Sequence, residues 1–92
     1  LLSRRIVLSE DQFQKYVGDY ACSPLGAAFF IKDDKLWIKD PMTPGNYELV
    51  PVGNHCFELL VAPIRYQFVS EGETIHKLLI FRIGVTLEFE RI

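Results

Sequence analysis

Basic clusters, long apolar runs and cysteines are all scarce in this chain, and each scarcity removes a class of function. No basic run exceeds the Arg4-Arg5 pair, and 10 Lys and Arg against 12 Asp and Glu leave a formal net charge of −2. Nucleic-acid binding calls for a basic stripe or patch, and a polybasic membrane anchor for a denser cluster still, so neither partner is expected. No apolar run approaches the roughly 18 to 20 residues that a transmembrane helix requires, so no membrane insertion by a helix is expected. The N-terminus lacks a charged-then-apolar signal pattern. It begins at Leu1 rather than Met, which reads as a processed chain or a segment excised from a longer protein. The two cysteines, Cys22 and Cys56, allow at most one disulfide. Two buried apolar thiols are the first reading and one bond the alternative.

Catalytic signatures are missing as well. No Ser has Lys three positions later, so the nucleophile and base of a penicillin-recognising hydrolase cannot share a helix face, and no Gly-x-Ser-x-Gly elbow is present. The six glycines are scattered one per turn and form no phosphate cradle. His55, Cys56 and His76 match no structural zinc spacing, and a strand through 55 and 56 would point those two side chains to opposite faces. The chain is therefore expected to be no enzyme in itself, with no cofactor and no metal.

What is present is a strongly β pattern behind one short helix. Ninety-two residues, 49% of them hydrophobic, suit a single domain over 1–92 with one core. Ser9 can cap a helix and Gln12 can reach back to complete a capping box, with Leu8 and Phe13 placed as a hydrophobic staple. The spacing predicts a helix over about 9–17 that Gly18 ends. Turn residues then recur near Asp33-Asp34, Pro44-Gly45, Gly53-Asn54, Ala62-Pro63, Gly72 and Gly84, about every 9 to 12 residues, the interval of successive hairpins. Between them the sequence predicts strands over 18–23, 26–32, 35–39, 46–51, 55–61, 65–70, 75–82 and 85–91. Val85, Leu87 and Phe89 alternate with Thr86, Glu88 and Glu90, so the last strand has one buried and one wet face. No helix-length crossover separates any two strands, so pairing is expected to be sequential and antiparallel. Eight such strands leave two raw edges unless the sheet curls, so an all-β up-and-down barrel or curled half-barrel is expected, with the helix over one end. Tyr20, Leu49, Phe57, Leu59, Tyr66, Phe68, Ile80, Leu87 and Phe89 are its predicted interior.

The stretch Leu8-Ser9-Glu10-Asp11-Gln12-Phe13-Gln14-Lys15-Tyr16-Val17-Gly18-Asp19-Tyr20 resembles the opening of a lipocalin-like domain found on the C-terminal side of serine β-lactamase-related hydrolases. Lys35-Leu36-Trp37-Ile38, Tyr47-Glu48-Leu49-Val50-Pro51, Tyr66-Gln67-Phe68-Val69 and the strand ending in Arg91 follow in matching order, so the resemblance covers nearly the whole chain. Asp34 departs from it where Gly is commoner in the hairpin, and so do the cysteines. The resemblance implies a non-catalytic accessory role beside a hydrolase domain of the same parent chain, in a periplasmic or secreted bacterial protein. It carries over no catalytic residue.

Two apolar features remain as candidate sites. If Asp33-Asp34 is a two-residue turn, Phe29 faces Ile38 and Ile31 faces Leu36, which puts Phe30 and Trp37 together on the other face. An outer Phe-Trp pair would suit docking against the parent catalytic domain or a second copy in a homo-oligomer; a bulged hairpin would send both rings into the core instead. The alternative function is a small apolar ligand held in the barrel mouth, with Pro41–Asn46 as rim and Met42 and Asn46 its candidate contacts.

Overall fold

The computed structural model describes residues 6–41, 43–59 and 61–92. The predicted rim residue Met42, the predicted strand residue Leu60 and the predicted domain's first five residues lie outside them.

The helix signals act over a shorter span than the sequence suggests. Ser9 accepts a hydrogen bond from the Gln12 backbone N–H and the Gln12 side chain accepts one from the Ser9 N–H, so the capping box is complete. α1 nevertheless spans only Glu10–Phe13, and a 3₁₀ turn over Gln14–Tyr16 replaces the remainder of the expected helix. So short an element depends on its tertiary contacts, and Phe13 and Tyr16 are both buried in the common core.

Eight strands follow: β1 Gly18–Cys22, β2 Leu25–Lys32, β3 Lys35–Lys39, β4 Asn46–Gly53, β5 Cys56–Leu59, β6 Arg65–Glu71, β7 Thr74–Arg82 and β8 Val85–Arg91. Each pairs antiparallel with the next, and β8 pairs with β1 through Tyr20↔Arg91 and Ala21↔Glu90, closing the barrel. The half-barrel alternative is thereby set aside: closure gives every strand two neighbours and leaves no raw edge.

Turn chemistry sets the registers. Asp33 and Asp34 take φ values of 53° and 61°, the left-handed pair of a type I′ turn, and the register Phe29↔Ile38, Phe30↔Trp37, Ile31↔Leu36 follows. Asn54 and His55 adopt the same conformation between β4 and β5. His55 therefore sits in a turn rather than in a strand as expected, because an irregularity between Pro51 and Gly53 moves the hairpin centre on by one residue. The β1–β2 turn at Ser23-Pro24, whose peptide bond is cis, was not among the expected turns.

The interior is aromatic and full. Phe68 is its hub, with ring centroids 4.7 Å from Tyr16, 5.0 Å from Phe29, 5.6 Å from Phe57 and 5.7 Å from Tyr20, all in tilted or edge-on contact. Every predicted interior residue is buried except Leu87, which packs against the core partly exposed. Replacing Phe68 by Ala removes contacts with four rings that cannot all close over the gap. Urea unfolding of Phe68→Ala is expected to show a loss of about 3–5 kcal/mol relative to wild type; a loss below about 1 kcal/mol would mean the cluster is not a packed core.

Candidate functional site

The two ends of the barrel differ. One carries the helix, and Arg91 fixes it there: Nη1 donates to the Lys15 and Ile75 carbonyls at 3.0 and 2.9 Å, and Nη2 to the Val17 carbonyl at 2.6 Å. Gly18, at φ 141°, lets the chain turn into β1 close beneath that guanidinium, where a Cβ would lie 3.6 Å from Arg91 Nε. At this end Tyr16 Oη and His55 Nδ1 share a 2.7 Å hydrogen bond, and Cys56 lies next along the chain. Burial raises the Tyr16 pKa, and burial likewise raises that of Cys56. Both groups therefore keep their protons at neutral pH, and the cluster presents no thiolate nucleophile.

The opposite end is formed by the Ser23-Pro24 turn, residues 40–41 and 43–45, the loop 61–64 and the Ile83-Gly84 turn. Strand alternation directs Asp40, Tyr66 and Arg82 inward there: Asp40 lies two positions beyond Ile38, Tyr66 pairs with Ile80, and Arg82 lies two beyond Ile80. Tyr66 and Arg82 are thus diagonal neighbours on adjacent strands, within reach of long side chains. Asp40 is held from the loop side, its Oδ2 accepting from Thr43 N at 2.8 Å and Thr43 Oγ1 at 3.0 Å. Its Oδ1 faces Arg82 Nη1 at 3.7 Å, too far for a hydrogen bond. Gly45, at φ 124°, allows the Tyr47 ring to lie over the loop, where a Cβ would meet its hydroxyl at 3.4 Å.

Among the described residues of this end, two polar atoms are buried without a hydrogen-bond partner, Tyr66 Oη and Arg82 Nη1. Buried polar groups are nearly always paired, so an orphaned phenol beside an orphaned guanidinium N–H singles this end out as the candidate site. Burial raises the Tyr66 pKa far above the ordinary phenol value, with the Asp40 charge adding to it. Tyr66 is accordingly a neutral hydrogen-bond donor or acceptor and no general base. The arrangement can bind an oxygen-bearing group. Among the described residues no cluster of three or more metal-ligating side chains exists.

At the same rim, beside Arg82, lies a cleft of about 370 Å³ lined by Glu58, Leu59, Ala62, Pro63, Ile64, Arg65, Phe81, Arg82 and Ile83. Arg65, on the outer face, donates from Nε and Nη2 to Glu58 Oε2 at 3.1 and 2.6 Å. Around the cleft stand exposed apolar side chains: Phe81 at 37%, Ile83 at 84%, Val85 at 49%, and Val61 at 76% just before Ala62. Val85 is on the inward face as expected, but it lies at an uncovered rim and is not buried.

The predicted site residues fall elsewhere. Phe30 and Trp37 form a direct cross-strand pair on the outer wall, and the bulged alternative does not occur. Both are half-buried: Trp37 Nε1 donates to the Lys32 carbonyl at 3.1 Å, and the Lys32 ammonium lies 5.4 Å from the ring centroid. Asn46 is exposed where β4 begins, paired with Lys39. Arg82 was legible in principle by counting on from Leu78 and Ile80, but its relation to Asp40 across the barrel left no local signal. Cys22 and Cys56 are unbonded, and they are half-buried where the first reading of the thiols expected them buried.

No family model matches the chain, and no curated protein matches it. The resemblance to β-lactamase-related accessory domains therefore stands on the residues from which it was read.

Because the Tyr66 hydroxyl is buried without a partner, removing it should relieve a desolvation cost. Tyr66→Phe is expected to be more stable than wild type by about 1 kcal/mol in urea unfolding, whereas a loss of 1 kcal/mol or more would show that the hydroxyl is bonded after all. Alkaline titration gives a second check. Burial lifts the Tyr20 pKa from 10 to about 12, against a smaller opposing effect of Arg91. The stability this contributes is complete below pH 10, the unfolded value, and is lost as the pH rises through 12. Between those values Tyr20 is expected to contribute about 1.4 kcal/mol per pH unit to the fall of the unfolding free energy, so Tyr20→Phe should make the slope shallower by that amount, while the raised Tyr16 and Tyr66 keep their own shares.

Proposed function

We propose that this barrel is a non-catalytic accessory domain that docks through the apolar corner around Phe81 and Ile83, its first candidate partner being a hydrolase domain of the same parent chain. One observation carries the docking reading. The interior is filled by interlocked aromatic rings, so an apolar occupant must be met on the outside, and large exposed apolar side chains gather at one corner. Clustered apolar residues beside a cleft, rimmed by an Arg-Glu pair, have the anatomy of a protein contact with an apolar centre and a polar edge. The Phe30–Trp37 pair contributes less to it, since its indole N–H and one ring face are already occupied within the same hairpin.

The identity of the partner, and with it a periplasmic or secreted setting, rests on the likeness of Leu8–Tyr20 and the later strands to that accessory family. A ligand enclosed in the barrel mouth is less favoured, because Tyr20, Tyr66, Phe68 and Phe89 occupy the space it would need.

Calorimetric titration of the 92-residue domain with the separately produced hydrolase domain of its parent tests the reading. Saturable binding is expected, weakened about tenfold or more in the double variant Phe81→Ser, Ile83→Ser with little change in thermal stability, since both side chains are already exposed. Absence of binding by the wild type, or undiminished binding by the variant, refutes it.

A further inference from the structure

Arg82 is a poorly satisfied charged group among the described residues of this end. A guanidinium offers five N–H donors in a rigid fork, and its best complement is an oxygen pair. The Arg82 side chain is only 21% exposed and its Nη1 is buried without an acceptor. Asp40 cannot serve, because the Thr43 backbone and hydroxyl hold its Oδ2 on the loop side and leave Oδ1 at 3.7 Å. Asp40 thus steadies the charge of Arg82 without saturating its donors.

The same residue lines the cleft at this rim, whose charged lining is two guanidiniums, Arg65 and Arg82, against one carboxylate, Glu58. That lining carries one net positive charge, and Arg65 is already committed to Glu58 by two hydrogen bonds. The remaining walls are apolar, with Leu59, Pro63, Ile64, Phe81 and Ile83 on them. A volume of about 370 Å³ falls within the range of small-ligand sites, in which apolar walls hold the body of the ligand and a few polar groups orient it.

We propose that this cleft binds a carboxylate carried on a compact apolar group, the carboxylate taking the Arg82 fork and the apolar body lying against Ile64, Phe81 and Ile83. Nη1 is sealed from solvent beside Asp40, so the carboxylate takes the Nε–Nη2 edge, and the bond is charge-assisted and bidentate, the strong class of hydrogen bond. Two sources present such chemistry: a free organic acid, and the C-terminal residue of a peptide whose last side chain is apolar. The site stands apart from the docking reading, since a small probe can occupy it with no partner protein present.

The test is an amide-resolved NMR titration of the isotopically labelled 92-residue domain with three probes. These are 3-phenylpropionate, N-acetyl-alanyl-phenylalanine and N-acetyl-phenylalaninamide, the last having no carboxylate. Both acids are expected to shift the signals of residues 62, 64–65 and 81–83 saturably at millimolar concentration, about tenfold more tightly than the amide, the tighter acid identifying the source. The double variant Asp40→Asn, Arg82→Gln removes both charges together, so no lone buried ion is left to unfold the domain. It is expected to keep a dispersed spectrum and to bind acid and amide alike. Equal binding of acids and amide by the wild type, saturable shifts away from the cleft, no shifts at all, or a preference for acid retained in the double variant would each overturn the proposal. None of these outcomes depends on whether a hydrolase domain docks.

Discussion

The barrel closes through a seam of two residue pairs, Tyr20↔Arg91 and Ala21↔Glu90, and that seam holds because Arg91 does more than pair. Its guanidinium reaches the carbonyls of Lys15, Val17 and Ile75 and lies 5.6 Å from the centroid of the Tyr20 ring. Last strand, first strand, β7 and the 3₁₀ turn are thereby tied at one point. Tyr20 completes the tie by donating its hydroxyl to the Tyr16 carbonyl at 3.1 Å. A seam this short would leave unpaired backbone at the helix end, where Val17 and Lys15 have no helix to continue into; Arg91 supplies the donors that the missing turn would have supplied. At the end carrying the helix, Arg91 is consequently committed to structure.

Sequence reasoning reached most of this fold because the governing signals are local. Alternation along β8, the capping box at Ser9 and Gln12, and the paired aspartates at 33 and 34 each act within a few residues, and the strand, the helix start and the turn they specify are all present. It failed where an irregularity intervened. Gly53-Asn54 looks like a hairpin centre, yet the shift between Pro51 and Gly53 hands that place to Asn54-His55 and takes His55 out of its strand. The helix fell short for a different reason: Tyr16 has to enter the aromatic cluster and Val17 has to be extended before Gly18, and a 3₁₀ turn meets both demands sooner than a further α-helical turn could.

The site was much less legible. Exposure of Val85 and Ile83 depends on whether anything covers the rim, and alternation assigns a face to a side chain without saying where the barrel ends. The juxtaposition of Asp40 with Arg82 joins residues 42 positions apart, across a closure that only the whole sheet defines. The pairing of Phe30 with Trp37 follows from the register of the Asp33-Asp34 turn, whereas the covering of Trp37 by Lys32 is a matter of rotamer and turn geometry.

The two arginines at opposite ends of the barrel frame the functional argument. Both project inward from the last two strands, and both could in principle be served by backbone carbonyls. Arg91 is, with three of them. Arg82 meets instead a carboxylate held at arm's length and a phenol whose own hydroxyl is unpaired. A fold that can satisfy one guanidinium so fully does not leave the other unsatisfied through any limit of its architecture. Unpaired buried donors cost stability wherever they occur, and the places where proteins tolerate that cost are commonly the places where they bind something.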